Sequence, residues 1–333
     1  MAAASFFTIK NLFIASPGGM KMSSQTTQSH VRKRSLWSSL KRDKYLILMV
    51  LPAVLIFLIY NYLPMLWNII AFEKYSIRKG IFASKWIGLE NFERFFSSPY
   101  CWRVIRNTFV ISFTDLIVGW PVPILFALFL NEVRNLKLKR VIQTCSYLPH
   151  FISVVVVVGI IRIFFSSTSG AVNELIKSMG REPIPFLSSN RWFIWIYVIS
   201  GIWQNFGWDS IIYFSAISSI DPEIYEAAVV DGAGRWRKMF NVTLPSISPT
   251  VITMLILRIG WLMSVGFEKI ILMYNETTYE TADVISTYVY RVGLLSSDFS
   301  YGTAIGLFNC LISVVLLVTA NTISKKVSDT SIF

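Results

Sequence analysis

The sequence predicts an all-α, polytopic membrane protein with six spanning helices and one long cytoplasmic loop. Three observations carry this. The 333 residues are 54% hydrophobic and only 15% charged, with a mean hydropathy of +0.55, whereas soluble domains carry about 25% charged residues. Six runs reach the roughly 20 mostly apolar residues needed to cross a hydrocarbon core about 30 Å thick. A long polar stretch, 218–249, separates the fourth run from the fifth and carries helix start and stop signals of its own.

The six runs are 45–68, 106–130, 141–165, 192–217, 250–274 and 301–323. Pro52, Pro64, Pro121 and Pro123 fall inside them, which spanning helices tolerate because neighbouring helices satisfy the freed backbone groups. The chain divides into a basic tail, 1–44, expected to be disordered and cytoplasmic, and one six-span membrane domain, 45–333. Residues 1–20 lack a positive n-region and do not read as a secretory signal. Met20 and Met22 are alternative starts, and 23–30 is too poor in apolar residues to fold.

A formal charge of +12 invites a nucleic-acid reading, but its distribution follows the membrane. Eight of the basic residues precede the first run: Lys10, Lys21, Arg32, Lys33, Arg34, Lys41, Arg42 and Lys44. With that end inside, the inner segments hold seventeen basic residues and the outer loops ten. Both termini are therefore expected in the cytoplasm, with membrane lipid, not nucleic acid, as the surrounding partner. Cys101, Cys145 and Cys310 show no metal or disulfide spacing, and His30 and His150 are too few for a metal site. The outer stretch 69–105 carries Trp86, Phe92, Phe95, Phe96 and Trp102, which suit interfacial helices. The stretch 166–191 is expected to hold one short helix.

Within 218–249, Asp221-Pro222-Glu223 is a helix start: an N-cap, a proline in the first turn and an acid at the positive end. The helix is expected to reach Asp231 and to end on Gly232 in the left-handed conformation. A second short helix follows through Phe240 and stops before Pro245. The spacing runs Glu226-Ala227-Ala228, three residues, Gly232, nine residues, then Val242, Thr243, Leu244 and Pro245.

This pattern resembles the EAA loop of permease subunits of binding-protein-dependent ABC importers. Further stretches resemble the sugar-type branch that serves complex oligosaccharides and polysaccharides, including alginate and aldouronate importers: GLENFERFFSSP (88–99), LPHFIS (148–153), SIDPEIYEAAVVDGA (219–233), YETADVISTYVYRVGL (279–294) and DFSYGTAIGLF (298–308). Val242 stands where Ile is usual. Thr243 and Ser246 stand where peptide and nickel permeases have His and Asn, which disfavours a peptide cargo.

The resemblance implies a non-catalytic permease in the bacterial cytoplasmic membrane. It implies a second homologous permease, two ATP-binding subunits and an extracytoplasmic solute-binding protein as partners. The chain has no phosphate-binding G-x-x-x-x-G-K-[ST] loop, so no cofactor is expected on it, and ATP and Mg belong to the partners. Glu226, Ala227, Ala228, Asp231, Gly232, Leu244 and Pro245 are the expected ATPase-coupling residues.

Polar groups inside spans are costly and mark candidate paths. Arg258, Trp261, Val265, Glu268 and Leu272 form one stripe if 250–274 is a continuous helix, which sets Arg258 and Glu268 about 15 Å apart. Trp203, Asn205 and Asp209 in the fourth run are further candidates, as is Asp115 in the second, with Arg258 or Arg162 as its partner. Arg258, Lys269 and the basic first outer loop favour an acidic, uronate-like saccharide. A neutral oligosaccharide is the alternative. A membrane-embedded sugar or lipid transferase, or a secondary transporter, is the reading from another class.

Overall fold

The computed structural model describes residues 44–328; the expectation of a disordered tail lies outside the described residues, save for Lys44. The chain divides into two compact units at Tyr62/Leu63. In the first, helix α1 (Lys44–Phe57) contains Pro52 and runs into a π-helical turn, Leu58–Tyr62.

The second unit is almost wholly helical, its only sheet among the described residues being a two-stranded ribbon, β1 (Glu73–Lys74) with β2 (Lys85–Trp86). Its larger helices are α2 (Glu90–Phe96), α3 (Cys101–Thr114), α4 (Pro121–Asn131), α5 (Leu136–Tyr147) and α6 (Val154–Phe164). They continue with α7 (Ala171–Ser178), α8 (Asn190–Ser218), α9 (Pro222–Val230) and α10 (Arg235–Lys238). The last are α11 (Ser248–Gly260), α12 (Phe267–Met273), α13 (Ile285–Val289) and α14 (Phe299–Ser328). Each of the six predicted spans contains helix, two of them with a break, and α7 is the short helix expected in 166–191.

Among the described residues, three helical stretches are long and apolar enough to cross a membrane, or up to five if each of two bent pairs counts as one span. The exposed Leu311, Val314, Val315 and Val318 of α14 would be costly in water and are at home against lipid. α8 is long enough, at 29 residues, but its polar residues keep it below that apolarity. Its C-terminal half packs on α4, where Tyr213 and Ile217 meet Ile124, Ala127 and Leu128, while Phe193 and Ile196 join Val157, Val158 and Ile161 of α6 in a separate cluster.

Two spans depart from the continuous helices expected. The third bends by 98° between α5 and α6. Pro149 interrupts the helix, Ile152 and Ser153 are extended, and the Ser153 side chain then caps α6. The fifth ends at Gly260, passes through turns at 261–266 and restarts as α12. Helix backbone can be broken inside a bundle only where other groups take the freed carbonyls. Side chains from neighbouring helices do so here. Gln204 of α8 donates to the Ile152 carbonyl at 2.9 Å, Ser112 of α3 to the Leu262 carbonyl, and Asn309 of α14 to the Met263 carbonyl at 3.3 Å.

The second span bends differently. A π-helical turn, Asp115–Gly119, precedes Pro121 at the first position of α4, so the proline sits where its missing N–H costs least. Away from these spans, the fully buried Asp283 ties α3 to the segment before α14. Arg103 donates to it at 2.9 Å, Arg291 at 2.7 and 3.2 Å, and Thr287 at 3.0 Å. Burial opposes the charge of Arg291, but the hydrogen bonds and charge of Asp283 outweigh it and hold its pKa above the ordinary arginine value.

Candidate functional site

Two regions gather the polar and exposed groups that sequence reasoning singled out. The first is the loop between α8 and α11. Asp221 caps α9, its carboxylate accepting from the Glu223 N–H at 3.0 Å. The helix ends at Val230, and Gly232 follows at φ +73°. The Gly232 N–H donates to the Val229 carbonyl at 3.0 Å and the Ala233 N–H to the Ala228 carbonyl at 2.9 Å. That pair of bonds is a Schellman termination, which fixes the turn direction and leaves Glu226, Ala227 and Asp231 exposed on one small convex element.

The second helix of the loop differs from expectation. It does not stop before Pro245 but continues from α10 through a π-helical turn, Met239–Thr243, into Leu244–Ser246. The wider turn gives the proline ring room that a regular α-helix lacks. Tyr225 of α9 meets the buried Thr243 in that turn, hydroxyl to hydroxyl at 3.0 Å. Met239 and Ile247 pack with Ile124, Leu128, Tyr213 and Ile217 of α4 and α8. The loop is thereby rooted on two long helices while Val229, Val230 and Trp236 stay exposed. The loop thus presents an exposed apolar patch rimmed by charge.

The second region is a cavity of about 690 Å³ bounded by α3, the π turn, α8, α11, the 261–266 turns and α12. Asp115, Asn205, Asp209, Arg258, Trp261 and Glu268 line it together, as does Val265; Trp203 and Leu272 do not. Because the helix breaks after Gly260, the axial distance of about 15 Å derived from helix rise does not apply to Arg258 and Glu268. Arg258 donates to Asp115 at 2.7 Å and lies 3.8 Å from Asp209. Arg162 is occupied elsewhere, donating to the Leu272 carbonyl at 2.5 Å.

Asn205 makes two hydrogen bonds within the protein. It donates to the Gly201 carbonyl at 3.0 Å, and its Oδ1 lies 2.9 Å from His150 Nδ1. That arrangement requires a proton on Nδ1 of His150. The imidazole also stacks on Trp208, with centroids 4.6 Å apart. Sequence reasoning left His150 as a structural residue and missed its place beside the cavity; Pro149 next to it was the available signal. It also missed Tyr197, whose hydroxyl accepts from the Gly266 N–H at 3.1 Å and so holds the start of α12.

Comparison with known proteins agrees with this arrangement. Residues 119–329 match the family described as the binding-protein-dependent transport system inner membrane component. Protein LplB of Bacillus subtilis is 44% identical over 299 residues, 90% of this chain and 94% of the relative. The polygalacturonan/rhamnogalacturonan transport system permease protein YteP of the same organism is 42% identical over 302 residues, 91% and 94% of the two chains. Among solved structures, a chain of a bacterial alginate ABC transporter in complex with an alginate pentasaccharide-bound periplasmic protein superposes with a TM-score of 0.83. It shares 42% identity over 90% of this chain and 100% of that chain. The transferase and secondary-transporter readings give way to this match. The chain therefore belongs to the inner membrane components of binding-protein-dependent transport systems, the non-catalytic permease subunits of ABC importers.

Proposed function

We propose that this permease supplies half of a membrane pore for an acidic oligosaccharide, a uronate-rich fragment, taken up at the expense of ATP hydrolysed on partner subunits. The observation that carries the cargo reading is the pair of relatives at 42% identity over nine-tenths of the chain. One is named for polygalacturonan/rhamnogalacturonan transport, the other a transporter of alginate. In this reading an extracytoplasmic binding protein delivers the fragment, and a second, similar permease completes the pore. Two ATP-binding subunits serve the complex, and one of them docks on Glu226, Ala227, Ala228, Asp231 and Gly232 of this chain. Both termini face the cytoplasm, following the excess of basic residues on that side.

The coupling step follows from how the loop is rooted. ATP binding closes the ATPase pair, and a docking element fixed to α4 and α8 through Met239 and Ile247 carries that motion into the helices that line the cavity. Binding energy at the nucleotide thus biases a two-state membrane element. Leu244 and Pro245 set the direction in which the chain leaves the loop toward α11.

A neutral oligosaccharide is the second reading, favoured by one observation: Arg258 is already neutralised by Asp115 and Asp209. The test is ATP hydrolysis by the complex co-purified with its ATPase subunits and binding protein, comparing uronate oligosaccharides with neutral ones. Selective stimulation by uronates bears out the acidic cargo. Stimulation by neutral sugars alone discards it, and stimulation by neither overturns the saccharide reading.

A further inference from the structure

Two cations line the cavity, Arg258 and Lys269, and their surroundings differ. The charge of Arg258 is matched by Asp115 at 2.7 Å and Asp209 at 3.8 Å. Lys269, on α12, is 8% exposed and has no carboxylate within 4 Å among the described residues. Its ammonium carries three donors. One goes to the Tyr197 carbonyl at 2.9 Å, and the group lies 4.8 Å from the centre of the Tyr197 ring. A buried charge is retained where it finds a counter-charge or has a task.

We infer that Lys269 is the specificity-determining residue of the cavity, a binding point for one carboxylate of the cargo. This rests on the acidic-saccharide reading above and deepens it. Two neighbours shape the position. Gly201 of α8 faces the ammonium, and a Cβ there would stand 3.4 Å from Nζ, so the glycine keeps that side open. Trp261, 72% exposed, lines the same cavity and offers an indole face against which a sugar ring can stack. Glu268, the acid of the cavity outside the Arg258 pairs, is suited to accept from sugar hydroxyls. A uronate unit has the matching chemistry: one carboxylate for the ammonium, an apolar ring face for Trp261, and hydroxyl donors for Glu268. A neutral sugar satisfies the last two and leaves the ammonium without a carboxylate in direct contact.

The test uses the whole complex in vesicles, with its ATPase subunits and binding protein. Transport of a uronate oligosaccharide is compared with that of the same oligosaccharide after reduction of its carboxyl groups to alcohols. Lys269→Gln should raise KM for the uronate about tenfold while kcat stays within twofold, and Lys269→Arg should recover most of the loss. An equal effect on both cargoes, or Lys269→Arg behaving like Lys269→Gln, would make Lys269 a structural residue and overturn the inference. A wild-type complex that moves only the reduced oligosaccharide overturns the parent reading itself; a wild-type complex that selects the uronate with Lys269→Gln unchanged overturns this inference alone. A second measurement does not depend on any variant assembling. Uronate oligosaccharide activated with a carbodiimide should form an amide on Lys269 of the wild-type complex, located by mass spectrometry. Adducts confined to exposed lysines such as Lys177 would contradict it.

Discussion

Arg258 of α11 reaches Asp115 at 2.7 Å across 143 positions of sequence. The contact joins the second span to the fifth at the two places where their helices are irregular. The π turn carrying Asp115 brings its carboxylate against Gly119, where a Cβ would stand 2.8 Å from Oδ1. The helix bearing Arg258 ends two residues later. Both side chains are about one-third exposed, so the pair is wetter than a core ion pair and its strength is correspondingly reduced.

Asp115→Ala and Arg258→Ala should each lower the thermal stability of the purified complex, and the double variant should lose less than the sum. The expected coupling is about 1–2 kcal/mol, within the range for residues that share one ion pair. Thermal unfolding followed by tryptophan fluorescence on the four proteins of the cycle gives the number. Strict additivity would mean that the contact is not a stabilising one.

Gly232 should tolerate alanine at a modest cost but not proline. Its φ of +73° costs a residue with a Cβ about 1–2 kcal/mol, and nothing else crowds the position. Gly232→Ala is therefore expected to weaken ATP-driven uptake only modestly. Gly232→Pro, which locks φ near −65° and removes the N–H that donates to Val229, should abolish it. Glu226→Lys should also abolish uptake, by reversing an exposed charge on the docking face. Membrane insertion, measured by protease protection, should be intact in all three. Normal uptake in both Gly232→Pro and Glu226→Lys would remove the docking assignment.

Asp283 is fully buried and accepts from Arg103, Arg291 and Thr287. Asp283→Ala strands two guanidinium groups at once, and breaking one side of a buried pair costs on the order of 3–5 kcal/mol. It should be the most damaging single carboxylate substitution in the chain by thermal unfolding. Arg103→Met should cost much less, because Arg291 retains two bonds to the same carboxylate.

The docking loop was legible in the sequence because its signals are local. An Asp cap, a first-turn proline and a left-handed glycine each act within a few residues, and each stands where it was expected. The span breaks were less legible. Pro149 stands at the first, though 141–165 reads as one run, and Gly260 and Gly266 lie in an apolar run that periodicity reads as one helix. What makes that break tolerable is supplied from other helices, by Ser112 and Asn309, which single-sequence patterning cannot pair with it. The same limit applied to charge. Arg258 and Lys269 looked equivalent as intramembrane cations, and only the fold separates the one matched by two aspartates from the one that is not.

Glycine packing supplies the sharpest steric prediction. At Gly207 of α8 an added Cβ would stand 2.1 Å from the Ser146 carbonyl oxygen and 2.5 Å from its carbon. Those are backbone atoms of α5, so no rotamer change relieves the clash and the two helices must separate. Overpacking of this kind costs about 1–3 kcal/mol, and Gly207→Ala should lower thermal stability by that amount. It should also reduce transport, because α5 leads directly into the break where His150 holds Asn205 and Trp208. Gly159→Ala in α6 is the control. Nothing lies within 4 Å of its Cβ, and alanine is the better helix former by about 1 kcal/mol, so that variant should be unchanged or slightly more stable. Ser146→Gly, which removes the Cβ, should not rescue Gly207→Ala, since the backbone carbonyl remains. Full rescue would mean that the side chain, 2.8 Å away at Cβ, is the real obstacle and that the helices can close on a smaller residue.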